Sequence, residues 1–271
     1  MERFRMLKFR LLALALVVCA APALAQEATP EVKMPFLPGY LGKDKVPDSL
    51  ALLPPPPAAD TPAMAVDEAD EKAALPEHDT PRWKLATDDN DLYFPFAAGA
   101  FSCAVQAPIT EADTPALFRL LRRTISDAIG ATKAAKVHYG RKRPFLIDKA
   151  PMCAPDRMES LAKEGSYPSG HSTTGWAWAL ILTEIAPDRA EPILARGLTF
   201  GESRVVCNVH WQSDVDEGRI LGAATVAKLH AEAEFRDDLE AAKTEIAAVR
   251  ARGLPPTRDC AVEAAEMAAA P

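Results

Sequence analysis

The sequence predicts an all-α protein, a compact helix bundle, on three observations. Apolar residues recur at three- and four-residue spacing in several long stretches after about residue 91. Those stretches open and close on capping signals such as Thr114-Pro115 and Pro187-Asp188. No run alternates apolar and polar residues as a half-buried strand does. The 271 residues, 48% hydrophobic and 25% charged, suffice for one medium domain with a sizeable core.

The elements follow in chain order. Arg3, Arg5, Lys8 and Arg10 accompany an apolar run from Leu11 to Val18, and Ala23-Leu24-Ala25 stands before Gln26. This is the layout of a cleavable export signal over residues 1–25, and its apolar run falls short of the ~20 residues a membrane span needs. No later stretch is long and apolar enough to cross a bilayer, so the mature chain is expected to be exported and without a membrane span. Cleavage removes four basic residues and one acid, which pushes the net charge of −7 further negative. A chain this acidic is a poor candidate for tracking nucleic acid. Any anion site must be a local cluster of cations working against the global charge.

Residues 26–90 form a Pro-rich arm, holding about half of the chain's 24 prolines. Leu52-Leu53 runs into Pro54 to Pro57, which must be extended. Either this arm is a mobile linker, or Leu50, Leu52 and Leu53 anchor it on the core. Residues 91–252 read as the all-α core. Its first helix starts at Thr114-Pro115, with Thr114 as cap, and places Leu117, Leu120, Leu121, Ile125 and Ile129 on one face. Gly130 ends or thins this helix, which could continue to about Lys136. A second helix begins at Ser169-Gly170-His171 and runs through Ile185, a third spans Arg189 to about Val206, a fourth Ser213 to about His230, and a fifth Arg236 to Arg250. The Ala-rich, acidic stretch 253–271 is expected to fray.

Cys103, Cys153, Cys207 and Cys260 remain after cleavage, an even count that in an exported protein suggests up to two disulfides. Four cysteines allow three pairings, and the sequence does not choose among them.

Three short segments carry the chemistry: Lys136 with Arg143-Pro144, then Pro168-Ser169-Gly170-His171, then Ser203-Arg204 followed by His210 and Asp214. Two histidines, three cations and a helix start suit a phosphate group. A helix N-terminus offers unpaired backbone N–H groups and partial positive charge. Gly170 lets the backbone approach the anion, Ser169 adds a hydroxyl, Arg143 and Arg204 can each grip two oxygens, and Lys136 supplies a compact charge. His210 and Asp214 lie four apart, within reach if a helical turn connects them. A carboxylate on Nδ1–H leaves Nε2 as the nucleophile, and His171 is then the acid that protonates the leaving alkoxide. Near pH 5–6 a histidine close to phosphate is expected to be substantially protonated. Each segment alone is weak, because a lone histidine is more often structural. Trp176 and Trp178 read as core, His78 and His230 as solvent-facing. Tyr167 could line the pocket mouth or merely pack.

Taken together the segments spell Lys-x6-Arg-Pro, Pro-Ser-Gly-His and Ser-Arg-x5-His-x3-Asp without a substitution, with 23 residues between Pro144 and Pro168 and 31 between His171 and Ser203. The chain thereby resembles the type 2 phosphatidic acid phosphatase and vanadium haloperoxidase superfamily. Gly165 to His171, Asp48 to Pro57 and His210 to Asp216 resemble, within it, the class A bacterial nonspecific acid phosphatases. The resemblance covers about residues 39–250. It implies an all-α bundle of that type, an ordered Leu-Pro arm, a periplasmic location, a homo-oligomer, no metal or other cofactor, and small phosphomonoesters as substrates. It assigns His210 as nucleophile, Asp214 as its orienting partner, His171 as acid, and Lys136, Arg143, Ser169, Gly170 and Arg204 as the phosphate pocket. Phosphotransfer to an alcohol is a plausible side activity. A vanadium-dependent haloperoxidase, a lipid-phosphate phosphatase and a non-catalytic phosphate-binding protein are the alternatives. The missing membrane helices disfavour the lipid enzyme.

Overall fold

In this computed structural model residues 33–268 are described, and they form eleven α-helices joined by short 3-10 turns. The expected export signal lies outside them. The one β-type pairing among them is an isolated bridge between Met34 and Phe94. The all-α expectation holds.

The helices are α1 (Ser49–Leu52), α2 (Pro62–Ala74), α3 (Pro81–Asp88), α4 (Ser102–Val105), α5 (Pro115–Tyr139), α6 (Met158–Ala162), α7 (Gly170–Ile185), α8 (Ala190–Val206), α9 (Gln212–Leu229), α10 (Ala233–Ala251) and α11 (Cys260–Ala268). Helix α7 is the hub, packing on α5, α8, α9 and α10. It is apolar nearly all round, as a central helix must be. Trp178 on α7 is fully buried among Phe94, Phe101 and Phe200, and its indole N–H donates to Leu121 O. Gly218 and Gly222 bring α9 onto the first turns of α7. A Cβ at Gly218 would lie 2.8 Å from Ser169 O, and one at Gly222 2.7 Å from Thr173 O.

Helix α5 departs from the expectation at both ends. The Thr114 side chain does not cap it; the hydroxyl is spent on the turn from Thr110. The first N–H groups, Ala116 and Leu117, donate to the Glu245 carboxylate at 2.8 and 3.0 Å, so α10 caps α5 from across the bundle. Gly130 lies inside the helix against Val46, and the chain turns out only at Gly140, whose positive φ of 52° makes the cap.

The arm is helical well before residue 91. Thr61 and Thr80, each followed by proline, cap α2 and α3 through their side chains. The stretch around Pro54–Pro57 is not helical, with Leu53 buried beside Tyr167. Tyr167 packs rather than lining the mouth: it is buried, and its hydroxyl donates to Pro54 O. Leu50 and Leu52 stay exposed. The tail differs too, since α11 packs on α3 and Cys260 pairs with Cys103. The second disulfide joins Cys153 to Cys207.

Candidate active site

Two turns meet at the N-terminal end of α7. One is the α7 cap, Pro168-Ser169-Gly170-His171. The other links α8 to α9 and carries His210. They are tied by Ser169 N–H, which donates to Asp214 O at 2.9 Å. The expected intrahelical spacing of His210 and Asp214 is not what joins them. Helix α9 starts at Gln212, so His210 sits just outside it and reaches over the cap residue Trp211. Asp214 Oδ2 accepts from His210 Nδ1 at 3.1 Å and from Trp211 N–H at 3.1 Å. The carboxylate therefore caps its own helix and orients the imidazole at once.

His210 Nε2 lies 3.0 Å from Arg143 Nη1. A guanidinium only donates, so Nε2 carries the lone pair and Nδ1 the proton. Arg143 is held by Leu161 O and Val209 O at 3.0 and 2.9 Å. Burial, then the charges of Arg143, Lys136, Arg204 and Arg141, hold the His210 imidazole well below its usual value.

His171, at the start of α7, donates from Nε2 to Asn90 O at 3.0 Å, since a carbonyl can only accept. Its second proton must then sit on Nδ1. Burial and the neighbouring Arg204 push its pKa well below the ordinary histidine value, against the expectation of a protonated ring at pH 5–6. A phosphate dianion beside it acts in the opposite sense.

A cavity of about 150 Å³ gathers Lys136, Arg143, Gly170, His171, Arg204 and His210. Ser169 and Asp214 stand behind its wall, both fully buried. Ser169 Oγ accepts from Ser172 N–H at 3.2 Å and from Ser172 Oγ at 2.9 Å, which leaves its own hydroxyl proton unspent. A Cβ at Gly170 would touch nothing closer than 4.0 Å, so this glycine is not demanded by packing. Lys136 Nζ donates to Gly165 O and Ser166 O at 2.7 and 3.3 Å, and burial with Arg143 nearby lowers it to about 8. Arg204 Nη2 donates to Asn90 Oδ1 at 2.9 Å, while its Nε and Nη1 are buried without a partner. Burial, then Arg143 and Arg157, lowers Arg204 to about 9. Three cations this close, with donors unspent, are arranged for an anion. Among the described residues no group of three His, Cys, Asp or Glu side chains could hold a metal ion.

Several residues here were not legible in the sequence. Asn90, between α3 and the core, serves both His171 and Arg204. Asp89 beside it is locked by Arg196 and by Ser203 Oγ at 2.7 Å. Arg141 bridges Asp214 Oδ1 and Asp67 Oδ2, each at 2.6 Å, and Asp67 also accepts from Ser213 N–H and Oγ. Arg157 and Glu164 line the cavity, and Glu164 lies 3.8 Å from both Lys136 Nζ and Arg143 Nη2. A run of acids with one asparagine, Asp88 to Asp91, gives no signal for such roles. Of the other histidines, His78 is exposed and paired with Asp79, His230 is half-buried and paired with Glu184, and His138 is exposed against Tyr139.

Residues 117–234 match the PAP2 superfamily. A non-specific acid phosphatase of Providencia stuartii is 44% identical over 212 residues, 78% of this chain and 86% of that protein. An acid phosphatase of Zymomonas mobilis is 40% identical over 203 residues, 75% of this chain and 77% of its own length. A non-specific acid phosphatase of Salmonella typhimurium is 40% identical over 195 residues, 72% and 78% of the two chains. Identity at this level over most of both chains settles the family: the chain belongs to the PAP2 superfamily and, within it, to the class A non-specific acid phosphatases.

Proposed function

We propose that this acid phosphatase is exported to the periplasm and hydrolyses phosphomonoesters in two steps through a phosphohistidine on His210. The observation that carries the reading is the fixed Nε2 lone pair of His210, held between Asp214 and a cluster of cations in the cavity that also holds His171. The two disulfides and the N-terminal signal pattern support export.

The substrate phosphate takes the donors of Arg143, Arg204, Lys136 and the α7 cap, which draws Arg143 off His210. Nε2 attacks phosphorus, the P–N bond forms and the bond from phosphorus to the ester oxygen breaks. His171, charged because the phosphate dianion faces it, gives its Nδ1 proton to the departing alkoxide. Asp214 keeps Nδ1–H of His210 and balances the positive charge of the phosphorylated ring. A water then attacks phosphorus in line, His171 takes back a proton, and the P–N bond breaks to release phosphate. An alcohol in place of that water yields a new ester, which is phosphotransfer.

The test is hydrolysis of p-nitrophenyl phosphate between pH 4 and 8, with and without EDTA, by the wild type and His210→Ala. Rapid quench into alkali should trap a base-stable, acid-labile phosphoprotein in the wild type alone. EDTA-insensitive turnover with that trapped species is the expected result. Turnover that survives the substitution would remove His210 as the nucleophile.

A further inference from the structure

Phe36 and Tyr93 stack on each other, ring centroids 5.3 Å apart and planes 16° from parallel, and both line the cavity that holds His210 and His171. Each is 38% exposed, whereas Phe94, next to Tyr93, is buried against Phe118 and Trp178. The pair is also held in place from several sides. Met34 N–H donates to Phe94 O at 2.8 Å and pins the two segments as a one-residue bridge. Lys33 pairs with Asp91 at 2.8 Å, and Asp91 Oδ1 accepts from Tyr93 N–H at 2.8 Å. Arg122 donates from both Nε and Nη2 to Pro35 O. Ring surface left open to water, at a cavity where half of the other contributors are cations and histidines, and braced by five polar contacts, is pre-organised for an apolar, flat partner.

We propose that the Phe36–Tyr93 pair is a leaving-group subsite, which makes the enzyme favour phosphomonoesters whose alcohol carries a planar aromatic ring close to the phosphate. The proposal rests on the phosphatase reading above. Both rings line the same cavity as His210 and His171, so an aromatic ring held there lies close to the ester oxygen. The subsite acts on binding rather than on bond cleavage, because the proton for the ester oxygen comes from His171 in this reading.

The experiment compares 2-phenylethyl phosphate with 2-cyclohexylethyl phosphate. The two have the same carbon count and alkoxides of closely similar basicity, so they differ in ring planarity and not in chemistry. For the wild type, kcat/KM should favour the phenyl ester about fivefold, the size of one good ring–ring contact, with the difference in KM. Tyr93→Leu and Phe36→Leu keep apolar bulk and should each bring the ratio towards one. A wild-type ratio near one, or a ratio that both variants preserve, overturns the subsite while leaving the phosphatase intact. Failure to hydrolyse either ester overturns the phosphatase reading and the subsite together.

Discussion

Arg143 Nη1 faces Nε2 of His210 at 3.0 Å, and a donor in that position admits one protonation state of the ring. Asp214 on the other nitrogen agrees with it. Nitrogen NMR of the resting enzyme should therefore show His210 as the neutral Nδ1–H tautomer, unchanged from pH 7.5 to 5.5. Burial and four surrounding cations are the cause. An imidazolium that titrates near its ordinary value would contradict the nucleophile's assignment.

Asp67 never touches the cavity, yet through Arg141 it fixes the carboxylate that fixes His210. Asp67→Ala should lower kcat roughly ten- to a hundredfold, as loss of an outer orienting partner does. Inhibition by inorganic phosphate should change little, because none of the cavity's cations loses a partner. A parallel loss of phosphate affinity would mean that the substitution damages the fold instead.

Gly218 is set by backbone contact. A methyl group there meets Ser169 O at 2.8 Å and Ser172 Cβ at 2.9 Å, neither of which can swing aside. Gly218→Ala should cost about 1–3 kcal/mol of stability, as overpacking does, and push the α7 cap away from Asp214. Activity at a temperature where the variant is still folded should fall well below wild type. Full activity would show that the two turns tolerate a wider spacing.

Much of this architecture was legible because the chemistry is local. Helices α5, α7, α8, α9 and α10 announce themselves by apolar spacing, and the cavity residues by three motifs whose members lie within a few positions of each other. What escaped was set by distant partners. Glu245 caps α5 from 128 and 129 residues away, and Asn90 reaches His171 and Arg204 from 81 and 114. Polar residues in an acidic run look solvated until the fold buries them. The C-terminal stretch was misjudged for the same reason, since its order comes from Cys103 and from α3.

His171 separates substrates by leaving group. Its acid proton matters most when an alkoxide departs and little when p-nitrophenolate does. His171→Ala should cost alkyl phosphates at least tenfold more in kcat/KM than p-nitrophenyl phosphate, because kcat/KM reports the step in which the leaving group departs. Because burial and Arg204 keep the ring neutral until a dianion arrives, phosphate binding should also bring proton uptake at His171, which offsets the proton that the phosphate monoanion gives up. Calorimetry in buffers of different ionisation enthalpy reads that uptake, and it should shrink in the variant. Equal losses on both substrates would remove His171 as the acid.

Glu71 on α2 ties stability to pH behind the same site. Burial, then the neighbouring Asp148 carboxylate, pushes its carboxyl up to about 7. Asp148 in turn accepts from Nδ2 of Asn208, two residues before His210 and held at a positive φ of 56°. The folded protein thus holds the Glu71 proton more tightly than the unfolded chain does. This contribution is complete below the unfolded value near 4.5 and is lost as pH climbs through about 7. Above it, two carboxylates face each other beside the loop that carries His210. Glu71→Gln, neutral at every pH and of the same shape, should melt at a higher temperature than wild type at pH 8, by roughly 1–3 kcal/mol of stability. At pH 4 the two proteins should melt nearly together, because wild-type Glu71 is then protonated. A variant less stable than wild type at pH 8 would mean that Glu71 is needed there as a carboxylate, and a cost of ionising it in the folded protein would be ruled out.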